Sequence, residues 1–127
     1  MKYQGDSAEL RFMLLNHLLG YTVAKPFGDN AKYDLIVQIN NKLERIQVKS
    51  TQSKDTSIGT DCYRCAVCSG ASVKRMYSDK DIDYVAIYVI PVDAWYKIPV
   101  NEIKTKSIRL YPHRKSKRNF FEKYRIK

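Results

Sequence analysis

The run Tyr33-Asp34-Leu35-Ile36-Val37-Gln38-Ile39-Asn40-Asn41-Lys42-Leu43-Glu44-Arg45-Ile46-Gln47-Val48-Lys49-Ser50 decides how this chain is read. Two apolar-rich segments, 33–39 and 43–50, flank Asn40-Asn41-Lys42, and that spacing describes a β-hairpin. Side chains alternate along a strand, so Leu43, Arg45, Gln47 and Lys49 share one face while Glu44, Ile46, Val48 and Ser50 share the other. Asp34, on the first strand, stands about as far from the turn as Gln47 does, so pairing should bring the two together. An amide oxygen and an ammonium side by side, opposite a carboxylate, suit hydrolysis of a phosphodiester. The oxygens fit a hard cation such as Mg²⁺ or Mn²⁺, and the Val48 carbonyl between them adds a donor. Such a cation polarises a phosphate and lowers the pKa of a bound water. Lys49 would hold or help deprotonate that water and neutralise charge in the transition state. The same spacing also occurs in strands of unrelated proteins, so by itself it leaves a purely structural role open.

Upstream, Asp6 or Ser7 is expected to cap a helix running to about Leu19, with Leu10, Met13, Leu14 and His17 or Leu18 on its apolar side. Gly20 ends it. A short strand over 21–24 stops at Pro26, and 27–30 is turn chemistry. Downstream, 52–60 is polar and loop-like, and 62–68 is a further candidate strand. The unbroken apolar run 84–90 fits a strand covered on both faces, with 94–98 as its antiparallel return. Residues 99–103 suggest one helical turn, 106–110 an edge strand and 118–124 a short terminal helix. The pattern is α/β (or α+β), a layered sheet with helices, in one domain over 1–127.

The net charge of +10 is unevenly spread: residues 104–127 hold ten basic side chains and one acid, Glu122, hence +9. Such a segment attracts a polyanion through counterion release. Its aromatic residues Tyr111, Phe120, Phe121 and Tyr124 point to at least partial docking. No stretch of about 18 apolar residues exists, so no membrane-spanning segment and no membrane partner are expected. The amino terminus lacks the apolar core of a signal peptide, which makes the cytoplasm the expected location.

Cys62, Cys65 and Cys68 invite a metal reading, but three thiols need a fourth ligand, and three-residue spacing on a strand sends successive side chains to opposite faces. Buried or half-buried thiols are the simpler expectation. His17 is expected in packing. His113 is as compatible with a phosphate contact as with a solvated loop. Trp95, Tyr84 and Tyr88 fit the core or its margin better than a base-stacking role. Arg64, Lys74, Arg75 and Tyr77 flank the expected site, and with Arg114, Lys115, Lys117 and Arg118 they are the candidate contacts to a DNA backbone.

These blocks also resemble a known family. Gly5-Asp6-Ser7-Ala8-Glu9 followed by Leu19-Gly20-Tyr21-Thr22-Val23 is similar to the start of archaeal Holliday-junction resolvases and of the small PD-(D/E)XK nucleases associated with group I introns. Three further blocks lie closer to the intron-associated group: 26–37, Arg45-Ile46-Gln47-Val48-Lys49-Ser50-Thr51, and Ile82-Asp83-Tyr84-Val85-Ala86-Ile87-Tyr88. The resemblance implies a restriction-endonuclease-like core, with a central mixed β-sheet flanked by helices. It also implies a Mg²⁺-dependent endodeoxyribonuclease acting on double-stranded or branched DNA, as a homodimer or homotetramer. Glu9 would contribute to the metal site, Asp34 matches the motif aspartate and Lys49 the motif lysine. Gln47 stands where the family usually has an acid, although some intron-encoded members are similar in carrying Q-x-K. An intron-type site-specific enzyme is the leading expectation and a Holliday-junction resolvase the second. A non-catalytic nucleic-acid-binding protein on the same fold is the alternative that Gln47 keeps open.

Overall fold

The hairpin forms as its sequence requires and supplies two strands of the central sheet. The computed structural model describes residues 2–55, 62–70, 72–113 and 119–126. Helix α1 (Lys2–Leu18) is followed by β1 (Thr22–Ala24), β2 (Leu35–Ile39) and β3 (Lys42–Thr51). Asn40 and Asn41 turn the chain with φ of 50° and 67°, the left-handed pair that a two-residue hairpin turn demands. Then come the short β4 (Lys54–Asp55), β5 (Cys62–Ala66), β6 (Cys68–Ser69) and β7 (Arg75–Met76). After them run the longer β8 (Tyr84–Val89) and β9 (Ala94–Pro99), and β10 (Ser107–Leu110). Single 3₁₀ turns at Val100–Glu102 and Phe120–Tyr124 stand where short helical pieces are expected.

Five strands make the central sheet in the order β1-β2-β3-β8-β9. It is mixed: β3 and β8 run parallel, and the other neighbours antiparallel. Strand β8 is covered on both sides, which accounts for its unbroken apolar sequence. Ala86 and Tyr88 face α1, together with Leu35, Val37, Ile46, Val48 and Trp95. Val85, Ile87 and Val89 face the opposite way, into a core closed by Tyr63 and Cys65 of β5 and Ile108 and Leu110 of β10. Those last strands belong to a second sheet of order β10-β5-β4, with β10 at its edge. Among the described residues the architecture is therefore one α-helix, a mixed sheet, a smaller antiparallel sheet and the two-stranded β6–β7 pair.

The helix departs from the sequence reading in phase and in start. It begins at Lys2, so Asp6 and Ser7 lie inside it and cap nothing. Its inward face carries Ala8, Phe12, the half-buried Leu15 and Asn16, whereas Leu10, Leu14 and Leu18 are 65%, 57% and 74% exposed. His17 is exposed as well, and does not pack. The phase is set by Phe12, whose ring lies 5.0 Å from Trp95, itself stacked on Tyr88 at 4.8 Å.

Two long-range ties fix the sheet. Arg45 on β3 meets Asp83 before β8 with its main-chain N–H (2.8 Å) and with Nε and Nη2 (3.2 and 3.1 Å). These bonds hold the Asp83 carboxyl below the usual carboxylate range. At the far edge, Tyr96 Oη donates to Glu122 at 2.7 Å and Ile126 N–H to the Trp95 carbonyl at 2.9 Å, so the tail docks on β9 as its aromatic residues suggest. Arg114, Lys115, Lys117 and Arg118 lie outside the described residues. Among the described residues no helix is long and apolar enough to cross a membrane.

Candidate active site

Register builds the site. Leu35 pairs with Ile46, so Asp34, one residue before β2 rather than on it, stands opposite Gln47. Its N–H donates to the Ile46 carbonyl at 2.8 Å, which extends the ladder by one bond and fixes the carboxylate. One carboxylate oxygen, Oδ2, then accepts both the Val48 N–H (2.9 Å) and the Gln47 side-chain Nε2 (2.8 Å). Gln47 Nε2 also lies 3.4 Å from the Val48 carbonyl. The amide orientation follows from this network, because the reverse would set Oε1 against a carboxylate. Gln47 therefore turns its oxygen away from Asp34.

Lys49, two residues on, reaches the other way. Its Nζ donates to the Cys68 carbonyl at 3.3 Å and sits 5.4 Å from the centre of the Tyr77 ring. Tyr77 is thus the half-buried floor beneath the ammonium. The β6–β7 hairpin that supplies Cys68 needs Gly70 at its turn: φ is +94°, and a Cβ there would stand 2.1 Å from the Val73 carbonyl oxygen. Glu9 arrives from α1 and pairs with Lys25 at 3.2 Å.

Burial raises the Asp34 carboxyl above the usual range, and the Glu9 charge raises it further. The Val48 N–H, Lys49 and Lys25 pull the other way without reversing the shift. Two carboxylates that repel each other, partly out of water, favour positive charge beside them, which Lys25 and Lys49 supply here. The oxygen donors here are Glu9, Asp34 and the Val48 carbonyl, with Gln47 Oε1 turned away in this arrangement, and such a set would suit Mg²⁺ or Mn²⁺. Among the described residues no cluster of three or more His, Cys, Asp or Glu exists. Any cation here would therefore lean on amide and carbonyl oxygens beside the two acids.

The structure brings Asp34, Gln47 and Val48 into hydrogen-bond contact, with Glu9 near enough for its charge to act on Asp34 and Lys49 on the Gln47 face. Arg64 on β5, Lys74 and Arg75 are exposed, with Lys74 bonded to the Gly70 carbonyl at 2.8 Å within the hairpin that also carries Cys68. His113 is exposed. Cys62 and Cys65 are buried and Cys68 half-buried. Burial pushes the Cys65 thiol up to about 12, so at neutral pH it is a packed thiol. Two neighbours of the site are not evident from sequence. Lys25 follows β1 with no periodic relation to Glu9. Gln4 donates to Ser50 Oγ at 2.9 Å and ties the start of α1 to the end of β3.

The family model for PD-(D/E)XK endonucleases matches residues 1–126. Among solved structures, the bacterial homing endonuclease I-Ssp6803I is similar at a TM-score of 0.81 with 26% identity, over 98% of this chain and 88% of that one. The Holliday junction resolvase Hjc of the archaeal hyperthermophile Archaeoglobus fulgidus shares the fold at a TM-score of 0.52 and 15% identity, over 84% and 83% of the two chains. No curated protein sequence matches. With a family match across nearly its whole length, the chain belongs to the PD-(D/E)XK endonuclease family.

Proposed function

We propose that the chain is one nuclease unit that hydrolyses DNA phosphodiesters with Mg²⁺ or Mn²⁺, in the cytoplasm, as a site-specific endonuclease of the intron-associated, homing type. The observation that carries this reading is the hairpin register, which sets Asp34 against Gln47 and Val48 with Lys49 two residues further on. Glu9, Asp34, Gln47 Oε1 and the Val48 carbonyl would hold the cation, which supplies polarisation of the phosphate and acidification of a bound water. Asp34 is pre-positioned by its two hydrogen bonds, while the Gln47 amide would turn over and Glu9 would leave Lys25 for a cation to be held. Lys49, steadied by the Cys68 carbonyl and the Tyr77 ring, would offer its Nζ to a water and a phosphate oxygen. Exposed Arg64, Lys74 and Arg75, with Arg114, Lys115, Lys117 and Arg118, would follow the DNA backbone. One such site cuts one strand, so a double-strand cut calls for a homodimer or homotetramer. The homing reading is preferred to the resolvase because the first resemblance covers 98% of the chain at 26% identity and the second is one of fold alone.

The test is cleavage of a mixed linear DNA library and of a four-way junction, in Mg²⁺ and in EDTA, by the wild type and by Lys49→Ala. Expected is metal-dependent cutting of linear sites, reduced about 100- to 1,000-fold in the variant. Cutting confined to the junction would move the reading to a resolvase. Salt-sensitive binding without any cutting would make it a binding protein.

A further inference from the structure

Lys25 belongs to the site, although no motif marks it. Its Nζ lies 3.2 Å from Glu9 Oε1, and the Glu9 side chain is only 23% exposed while that of Lys25 is 56% exposed. Its charge reaches Asp34 too, where it acts against burial and against Glu9. Four charges therefore meet: Glu9 and Asp34 negative, Lys25 and Lys49 positive. They sum to zero, and Gln47 adds nothing where an acid would have left the cluster negative.

We propose that Lys25 is a built-in counter-ion of the carboxylate pair, which competes with a divalent cation for Glu9 and keeps the DNA-free site from loading. This rests on the assignment of Glu9 and Asp34 as cation ligands. A cation approaching the free protein meets a neutral cluster, with Glu9 already engaged by an ammonium. When DNA is present its phosphates supply the missing negative charge, and the cation becomes favoured over Lys25 at Glu9. Lys25 stands on an exposed loop and is free to turn outward once Glu9 is taken. Loading is thereby linked to substrate, and a positioning residue rather than a catalytic one sets that link.

The experiment is titration of the DNA-free full chain with Mn²⁺, with free Mn²⁺ followed by electron paramagnetic resonance. Wild type, Lys25→Ala, Lys25→Arg and Lys32→Ala are compared, Lys32 being an exposed lysine of the same loop. Lys25→Ala should bind Mn²⁺ about tenfold more tightly than wild type, the size expected for one charge removed at close range. Lys25→Arg keeps the charge, and Lys32→Ala removes one elsewhere. Both should stay within about twofold of wild type. The proposal is overturned if Lys25→Ala stays within that range, or if Lys32→Ala tightens binding as much. Binding by wild type with no change in Lys25→Ala removes the counter-ion role alone. No Mn²⁺ binding by any of the four removes the assignment of Glu9 and Asp34 as ligands along with it.

Discussion

Gln47 is chemically active as a hydrogen-bond donor before any cation arrives. Its Nε2 gives Asp34 Oδ2 one of the two bonds that hold the carboxylate, the other being the Val48 N–H. An acid here would replace that donor with a second negative charge at hydrogen-bond distance from Asp34, whose carboxyl is already raised by burial and by Glu9. Gln47→Glu should therefore destabilise the metal-free protein by roughly 1–3 kcal/mol at pH 8, a fall in Tm of roughly 3–10 °C. The sign with pH follows from the raised Asp34 carboxyl. As pH falls into the carboxylate range one of the pair takes up a proton, the repulsion vanishes and the two melting temperatures converge. Added Mg²⁺ should narrow the gap at pH 8. Calorimetry at both pH values decides it, and an unchanged Tm at pH 8 would mean that Gln47 does not anchor Asp34. Asp34, Gln47 and Lys49 were readable from sequence because a strand has a rigid two-residue period and the Asn40-Asn41 turn fixes which residues face each other. Lys25 was not, since its partner Glu9 lies sixteen residues away on another element and no periodicity joins them.

Elements differ in legibility for the same reason. The strands of the hairpin, β8 and β9 each have apolar residues in one pattern only. Helix α1 has two apolar stripes of equal period, one through Ala8, Phe12 and Leu15 and one through Leu10, Leu14 and Leu18. Periodicity shows that a helix forms but cannot choose between two such faces. The choice falls to volume: Phe12 is fully buried against Trp95, where a leucine would leave space. Phe12→Ala should cost about 3–5 kcal/mol, the range for an aromatic removed from a packed core. Leu14→Ala, on the exposed stripe, should cost less than about 0.5 kcal/mol. Urea unfolding of the two variants measures both. A Leu14→Ala loss as large as that of Phe12→Ala would place the helix the other way round. The two smaller sheets were less legible because β4 in one and β6 and β7 in the other have two residues each, too few for a period, and β5 finds its partner β10 far along the chain.

At the scale of the whole molecule, charge and docking separate within one segment. Nine of the ten net positive charges fall in residues 104–127, yet the part that holds to β9 does so through Tyr96 with Glu122 and through Ile126 with the Trp95 carbonyl. None of those groups is among Arg114, Lys115, Lys117 and Arg118. Changing these four to glutamine together leaves the Tyr96–Glu122 and Ile126–Trp95 bonds at the sheet edge in place. Their effect should be read in DNA binding. Each basic residue that neutralises a phosphate contributes about 0.9 to the slope of log K against log salt. If all four follow the backbone, the slope should become shallower by about 3–4, and affinity at low salt should fall for every sequence alike, since phosphate contacts do not discriminate bases. Binding titrations of a linear duplex between about 50 and 200 mM salt give the slope directly. An unchanged slope would transfer the attraction to the face carrying Arg64, Lys74 and Arg75. A shallower slope with lost preference among sequences would mean that these four read bases as well as phosphates.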